Sequence, residues 1–198
     1  MTQKQLAHTL FPLGELTKEK AREIAEENGF INARKKDSQD ICFVPDGDYA
    51  RFIEEYSGKH YPDGDFVDQS GKVLGRHKGI IRYTVGQRKG LGLSLPAPMY
   101  VMKKDIDKNE VVLCSNEELF GSSLVAKDFN WIAFGNPPEK IRVKAKIRYN
   151  QREEDATVTP QADGTVLVEF DKPQRAIAKG QAVVLYNGDI VVGGGTIC

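Results

Sequence analysis

The feature that most restricts the fold of this chain is the density of short β-type runs in its C-terminal part. Candidate strands fall at 128–134, 140–149, 154–159, 165–170, 181–187 and 190–197, with Asp163-Gly164 and Asn187-Gly188 as turn signals between them. An open sheet of so many short strands would expose two edges of unpaired N–H and C=O groups, and closing the sheet on itself removes both. A small six-stranded β-barrel is therefore expected. Within it, "KIRVKAKIRY" at 140–149 alternates without a fault: Lys140, Arg142, Lys144, Lys146 and Arg148 against Ile141, Val143, Ala145, Ile147 and Tyr149. A period of two sends the apolar set into the core and presents the cations as a row spaced by about 6.6 Å. Like charges in a row need either a polyanion or acidic partners on adjacent strands, for which Glu153, Glu154 and Asp155 are available. The sign of the preceding segment favours the polyanion.

Upstream the texture differs. "TKEKAREIAEEN" at 17–28 starts with Thr17 as N-cap, places Ala21, Ile24 and Ala25 on one face and stops at Gly29, which predicts a helix. Tyr49, Phe52, Ile53 and Tyr56 predict a second, short helix after Asp48. From residue 61 the pattern becomes hairpins, one turning at Gln69–Gly71 and one at Asp107–Asn109. One helix with short flanks buries too little surface to fold alone, so the first forty-odd residues are expected to pack against a body outside these 198 residues. The fold class is α+β, mainly β.

Formal charge is zero, with 28 Lys/Arg against 28 Asp/Glu, yet the charges are segregated. Residues 1–68 hold 9 basic and 14 acidic, 69–152 hold 16 and 7, and 153–198 hold 3 and 7. A basic middle third between acidic flanks points to a polyanion partner for one surface. Within it, residues 69–104 contain no acid at all but carry Lys72, Arg76, Lys78, Arg82, Arg88, Lys89, Lys103 and Lys104 among six glycines. Glycines let backbone N–H groups approach a phosphate and the cations neutralise it, so the stretch reads as a nucleic-acid contact rather than a solvated loop. His77 could serve as a base or a phosphate contact, although a lone histidine is more often a hydrogen-bonding surface residue. No apolar run approaches the ~20 residues of a membrane span and no signal peptide is visible, so a cytoplasmic location with no membrane partner is expected.

Three cysteines at 42, 114 and 198 indicate neither a disulfide framework nor a metal site. Cys42 lies in "KKDSQDICFVPDGD", between Lys35 and Lys36, which favour a thiolate, and Asp37, Asp40, Asp46 and Asp48, which oppose it. Ile41 and Phe43 suit an inert buried thiol. From these residues alone a reactive carrier and a packing cysteine both stand. Cys114 ends the apolar run "EVVLC" and reads as strand packing.

The succession "KKDSQDICF", "GRHKGIIRYTVGQRKGLGL", "AKIRYNQ" and "PQRAIAKGQAVVLYNGDIVVGGGTI", with "LFPLGELTKEKAREIAEENG" before it, closely resembles the tRNA-specific 2-thiouridylase family over about three quarters of the chain. The resemblance implies replacement of the C2 oxygen of a wobble uridine by sulfur after ATP-dependent adenylation of the base. It further implies that the cysteine of D-S-x-x-I-C-F, here Cys42, carries the sulfur as a persulfide, assisted by a second cysteine in an N-terminal domain. A carrier thiol needs a connector that can reach both donor and extruded base. By the same resemblance Arg148, Tyr149 and Gln181 contact tRNA, with Lys144, Lys146, Arg76, His77, Lys78, Arg88 and Lys89 as further basic-segment candidates. Strict alternation would point Tyr149 inward, so a bulge or strand end near Asn150 is required.

The implied layout is the tail of an α/β ATP-pyrophosphatase domain over 1–47, a small central β domain over 48–120, and a tRNA-binding β-barrel like the second domain of translation factors over 121–198. The implied partners are tRNA, a sulfur relay protein or cysteine desulfurase, and the N-terminal ATP-binding domain. The family's Ser-Gly-Gly-Val-Asp-Ser loop is not in this sequence. ATP, with Mg2+, is thus expected for the intact enzyme only, and the 198-residue chain alone is expected to be inactive. The competing readings are a non-catalytic RNA-binding module with a structural Cys42 and a thiol-based redox sensor.

Overall fold

The computed structural model describes residues 1–35, 44 and 47–198, and they divide into two units, Met1–Gly58 and Lys59–Cys198. The first is helical: α1 (Gln3–Leu6), α2 (Lys18–Glu27) and α3 (Tyr49–Ser57). Thr17 Oγ1 accepts from the Lys20 N–H at 3.2 Å to start α2, and Gly29 leaves it with φ +71°. Asp48 Oδ1 accepts from the Arg51 N–H at 3.0 Å to start α3, and Gly58 closes it in the left-handed region. α2 thus has its expected caps, and α3 begins after Asp48 as expected. Their apolar faces are less covered than periodicity implied: α2 buries no residue, Ala50 is the buried residue of α3, and Leu10 (88% exposed) and Ile31 (fully exposed) face solvent. No helix among the described residues is long and apolar enough to cross a membrane.

The second unit is β. Its first part is a four-stranded sheet of β1 (Gly64–Val67), β2 (Val73–His77), β3 (Tyr100–Asp105) and β4 (Glu110–Cys114), in the order β2-β1-β4-β3. Both expected hairpins form, and Asp68 shapes the first turn by accepting from the Ser70 and Lys72 N–H groups. The two hairpins join through a parallel β1–β4 pairing that no local pattern announces. Phe66, Val101, Val111 and Leu113 form the core, and the long β2–β3 connection contributes Ile80, Tyr83 and Leu91 to it. The glycine-rich basic segment is therefore anchored by its own apolar residues, each worth about 1.5–3 kcal/mol of burial.

Six further strands close a barrel in the order β10-β5-β8-β7-β6-β9. They are β5 (Phe120–Trp131), β6 (Ile141–Lys146), β7 (Glu154–Pro160), β8 (Val166–Arg175), β9 (Ala182–Asn187) and β10 (Ile190–Ile197). The interior is filled by alternate residues, among them Val143, Ala145, Ala156, Val158, Val166, Val168, Val183 and Leu185. Several boundaries depart from expectation, among them the end of β5 at Trp131 rather than 134. β5 begins at Phe120 rather than 128, because Gly121 starts a short pairing with Gln174 before the register shifts at Ser123. β8 continues past Pro173 to Arg175 through that same irregular pairing. β6 ends at Lys146 rather than 149, which matters for the site below.

Candidate nucleic-acid interface

The outward face of β6 is not the uniform cationic ridge that alternation predicts. Arg142 donates to both oxygens of Asp171, at 2.8 and 2.6 Å, and to Thr157 Oγ1 at 2.9 Å. The donated bonds hold the Asp171 carboxyl below the usual carboxylate range. Lys144 lies opposite Asp155 on β7 and pairs with it at 3.4 Å. Two of the five cations are thus neutralised, Lys144 from adjacent β7 and Arg142 from β8 one strand beyond, and the expectation that the row as a whole faces a polyanion is corrected for them. Such exposed pairs contribute little to stability, about 0–1 kcal/mol each.

The remaining part of the row behaves differently because the strand stops. After Lys146 the chain turns, Ile147 stays buried, and both Arg148 and Tyr149 are exposed. Tyr149 is 92% exposed, with Lys146 Nζ 5.7 Å from its ring centroid. The early strand end removes the conflict between alternation and an outward tyrosine. β9 runs antiparallel to β6 with Val184 opposite Lys146, so Gln181, also exposed, lies at the same end of the barrel as Tyr149.

The basic segment of the small sheet meets this end. Arg148 Nη2 donates to Val85 O at 3.2 Å and to Ala176 O at 2.8 Å. Val85 opens a turn in which Gly86 (φ +86°) donates to Val101 O at 2.7 Å and Gln87 O accepts from the Val101 N–H at 2.9 Å. Gln87 Nε2 then holds Lys89 O at 2.9 Å. Arg88 and Lys89, both exposed, project from a turn fixed on one side to β3 and on the other to the barrel. The same junction carries Arg175, which donates to Asn116 Oδ1 at 3.0 Å and lies 5.0 Å from the Tyr100 ring centroid. Cys114, Leu119 and Ala176 form its apolar centre. Sequence reasoning missed Arg175, Asn116 and Ala176, whose contacts span long chain separations and leave no local pattern.

The other candidates separate. Arg76 pairs with Asp65 at 3.2 Å, and Lys78 is exposed. His77 is fully buried, which corrects its reading as a surface residue and withdraws its ring from contact with a phosphate. Its Nε2 donates to Asn109 O at 3.1 Å, its ring packs against Phe66 and Tyr83, and Nδ1 has no partner among the described residues. Cys42 lies outside the described residues. Cys114 is 1% exposed, and burial pushes its thiol up, which suits packing, whereas Cys198 is exposed. Among the described residues of 1–58 the regular elements are helices, and none of them follows a strand and glycine-rich turn of the kind that cradles nucleotide phosphates. Among the described residues no cluster of His, Cys, Asp and Glu could hold a metal.

An exposed tyrosine and a glutamine at the end of a barrel, beside a fixed turn bearing two cations, can stack on a base and neutralise phosphates together. Comparison with known proteins agrees in kind. Residues 1–46 match the tRNA methyl transferase HUP domain, 50–115 the tRNA methyl transferase PRC-barrel domain, and 121–197 the aminomethyltransferase β-barrel domain. A tRNA-specific 2-thiouridylase MnmA of Acetivibrio thermocellus is 54% identical over 197 residues, covering 100% of this chain and 55% of its own length. Proteins of the same description from Thermoanaerobacter sp. (strain X514) and Clostridioides difficile (strain 630) are 53% and 50% identical over 197 residues, again covering 100% of this chain and 54% and 55% of theirs. The chain thus spans about half the length of the curated relatives it matches.

Proposed function

Because the chain belongs to the tRNA-specific 2-thiouridylase family, we propose that it serves the exchange of a wobble uridine's C2 oxygen for sulfur, supplying the tRNA-binding surface and the sulfur-carrying cysteine. The observation that carries this reading is identity above one half across the whole chain to a protein described as a tRNA-specific 2-thiouridylase. The arrangement at the barrel end supports it. Tyr149 offers a π-face, Gln181 an amide, and Arg88 and Lys89 positive charge, on one unit whose internal hydrogen bonds fix their spacing.

In this reading Cys42 takes up the outer sulfur of a donor persulfide on a cysteine desulfurase or relay protein. The Cys42 thiolate attacks that sulfur, forming an S–S bond while the donor departs as its own thiolate. A cytoplasmic setting, where thiols stay reduced, suits such a carrier. Activation of the uracil by ATP belongs to a glycine-rich loop that these 198 residues do not contain.

Two results are expected of the isolated 198-residue polypeptide. It binds unfractionated tRNA with an affinity that falls steeply as salt rises from about 50 to 200 mM. It forms no 2-thiouridine when ATP, tRNA and a sulfur-loaded desulfurase are added. Absence of salt-dependent binding would remove the tRNA-binding role, and robust turnover would refute the division of labour.

A further inference from the structure

Arg148 is the cation that alternation places at the end of the β6 row and that family resemblance assigns to tRNA contact. Its geometry indicates another task. One guanidinium nitrogen donates at once to Ala176 O, in the barrel, and to Val85 O, in the turn that carries Arg88 and Lys89. Both acceptors are backbone carbonyls, one in the β2–β3 connection and one in the turn that follows β8, so the bond pair ties the basic turn to the barrel rather than neutralising a carboxylate. The surroundings are built around this tie. Ala176 is 2% exposed and sits at φ +55°, a left-handed conformation uncommon for a residue with a side chain. At Gly86 an added Cβ would lie 2.9 Å from Ala176 Cβ and 3.6 Å from Arg148 Nη2, so the turn approaches as closely as a bare backbone allows. Arg175 repeats the device next door through Asn116, with its planar group against Tyr100.

We infer that Arg148 is a positioning residue: it clamps the basic turn of the small sheet to the barrel end, so that Arg88 and Lys89 stand at a fixed offset from Tyr149 and meet one continuous RNA surface. The inference rests on the tRNA-binding reading and deepens it. The arginine Nη2 lies one bond further from the backbone than a lysine Nζ and is held by a planar group, so a lysine keeps the charge but falls short of the two carbonyls. Charge and clamp can therefore be separated by substitution.

The test uses the 198-residue chain as wild type, Arg148→Lys and Arg148→Gln, with two readouts. The first is tRNA binding by fluorescence anisotropy across salt concentrations. Both variants are expected to weaken binding about tenfold, the size of an ordinary coupling between two sites, with the slope of log affinity against log salt unchanged. Were Arg148 a phosphate contact instead, Arg148→Gln would flatten that slope by roughly 0.7–0.9 and Arg148→Lys would bind like wild type. Either result overturns the inference. The second readout is amide hydrogen exchange at Gly86 and Gln87, which needs no RNA. Faster exchange in both variants is expected, and unchanged protection overturns the clamp. If wild type itself shows no salt-dependent tRNA binding, the functional proposal fails while the exchange data still decide the clamp.

Discussion

Gly64→Ala is expected to destabilise the small sheet by about 3 kcal/mol, at the upper end of overpacking costs. The glycine opens β1 opposite His77, and a Cβ there would lie 2.6 Å from His77 Nε2 and 2.7 Å from Asn109 Nδ2, and closer still to Asn109 O. None of these neighbours is a flexible chain end. Asn109 O is a backbone atom and accepts from His77, and the Asn109 amide donates to Pro62 O and Asp63 O at 3.2 and 3.1 Å. Asn109 also sits at φ +53°, so its backbone has little room to yield. Moving His77 would disturb its packing on Phe66 and Tyr83 in the core. Amide exchange should quicken across β1, β2 and β4 more than in the barrel, and the melting temperature should fall on the order of 10 °C. Gly135→Ala, where nothing lies within 4 Å, is the matching control and should be near neutral. Equal melting of the two variants would show that the site can open without cost.

Tyr149→Ala is expected to lower tRNA affinity by roughly ten- to a hundredfold, the worth of one base stacked on an aromatic ring. The ring is 92% exposed and has Lys146 near its face, so its removal should leave thermal stability unchanged. Tyr149→Phe, which keeps the π-face, should bind close to wild type. An alanine variant that binds like wild type would exclude the ring from the RNA surface.

Local chemistry made much of the fold legible in the sequence. Thr17 announced its helix because N-capping is a matter of neighbouring residues, and the spacing of Tyr49, Phe52, Ile53 and Tyr56 announced the next. The turn residues at Gln69–Gly71 and at Asp107–Asn109 announced their hairpins for the same reason. The barrel followed from the number and shortness of its strands, which leave few other ways to protect edges. What escaped was non-local. The β1–β4 pairing joins two hairpins that each look complete alone. The neutralisation of Arg142 by Asp171 comes from a residue 29 positions further on, whereas Asp155, the partner of Lys144, stood among the acids the sequence offered. His77 carries no sign in its own neighbourhood, rich in lysine, arginine and glycine, that it will be buried against Phe66. For the interface, resemblance named Arg148, Tyr149 and Gln181, but the bond from Arg148 to Val85 crosses 63 residues and gives that arginine a different setting.

The measurement that bears most directly on the account is the location of sulfur after the chain is incubated with a cysteine desulfurase and free cysteine. The three cysteines, at 42, 114 and 198, fall on peptides that mass spectrometry can separate. Alkylated digests should carry one additional sulfur on Cys42 and none on buried Cys114, with Cys42→Ser abolishing the signal. Sulfur missing from Cys42, or spread equally onto exposed Cys198, would contradict a carrier role and leave an RNA-binding module with a structural thiol.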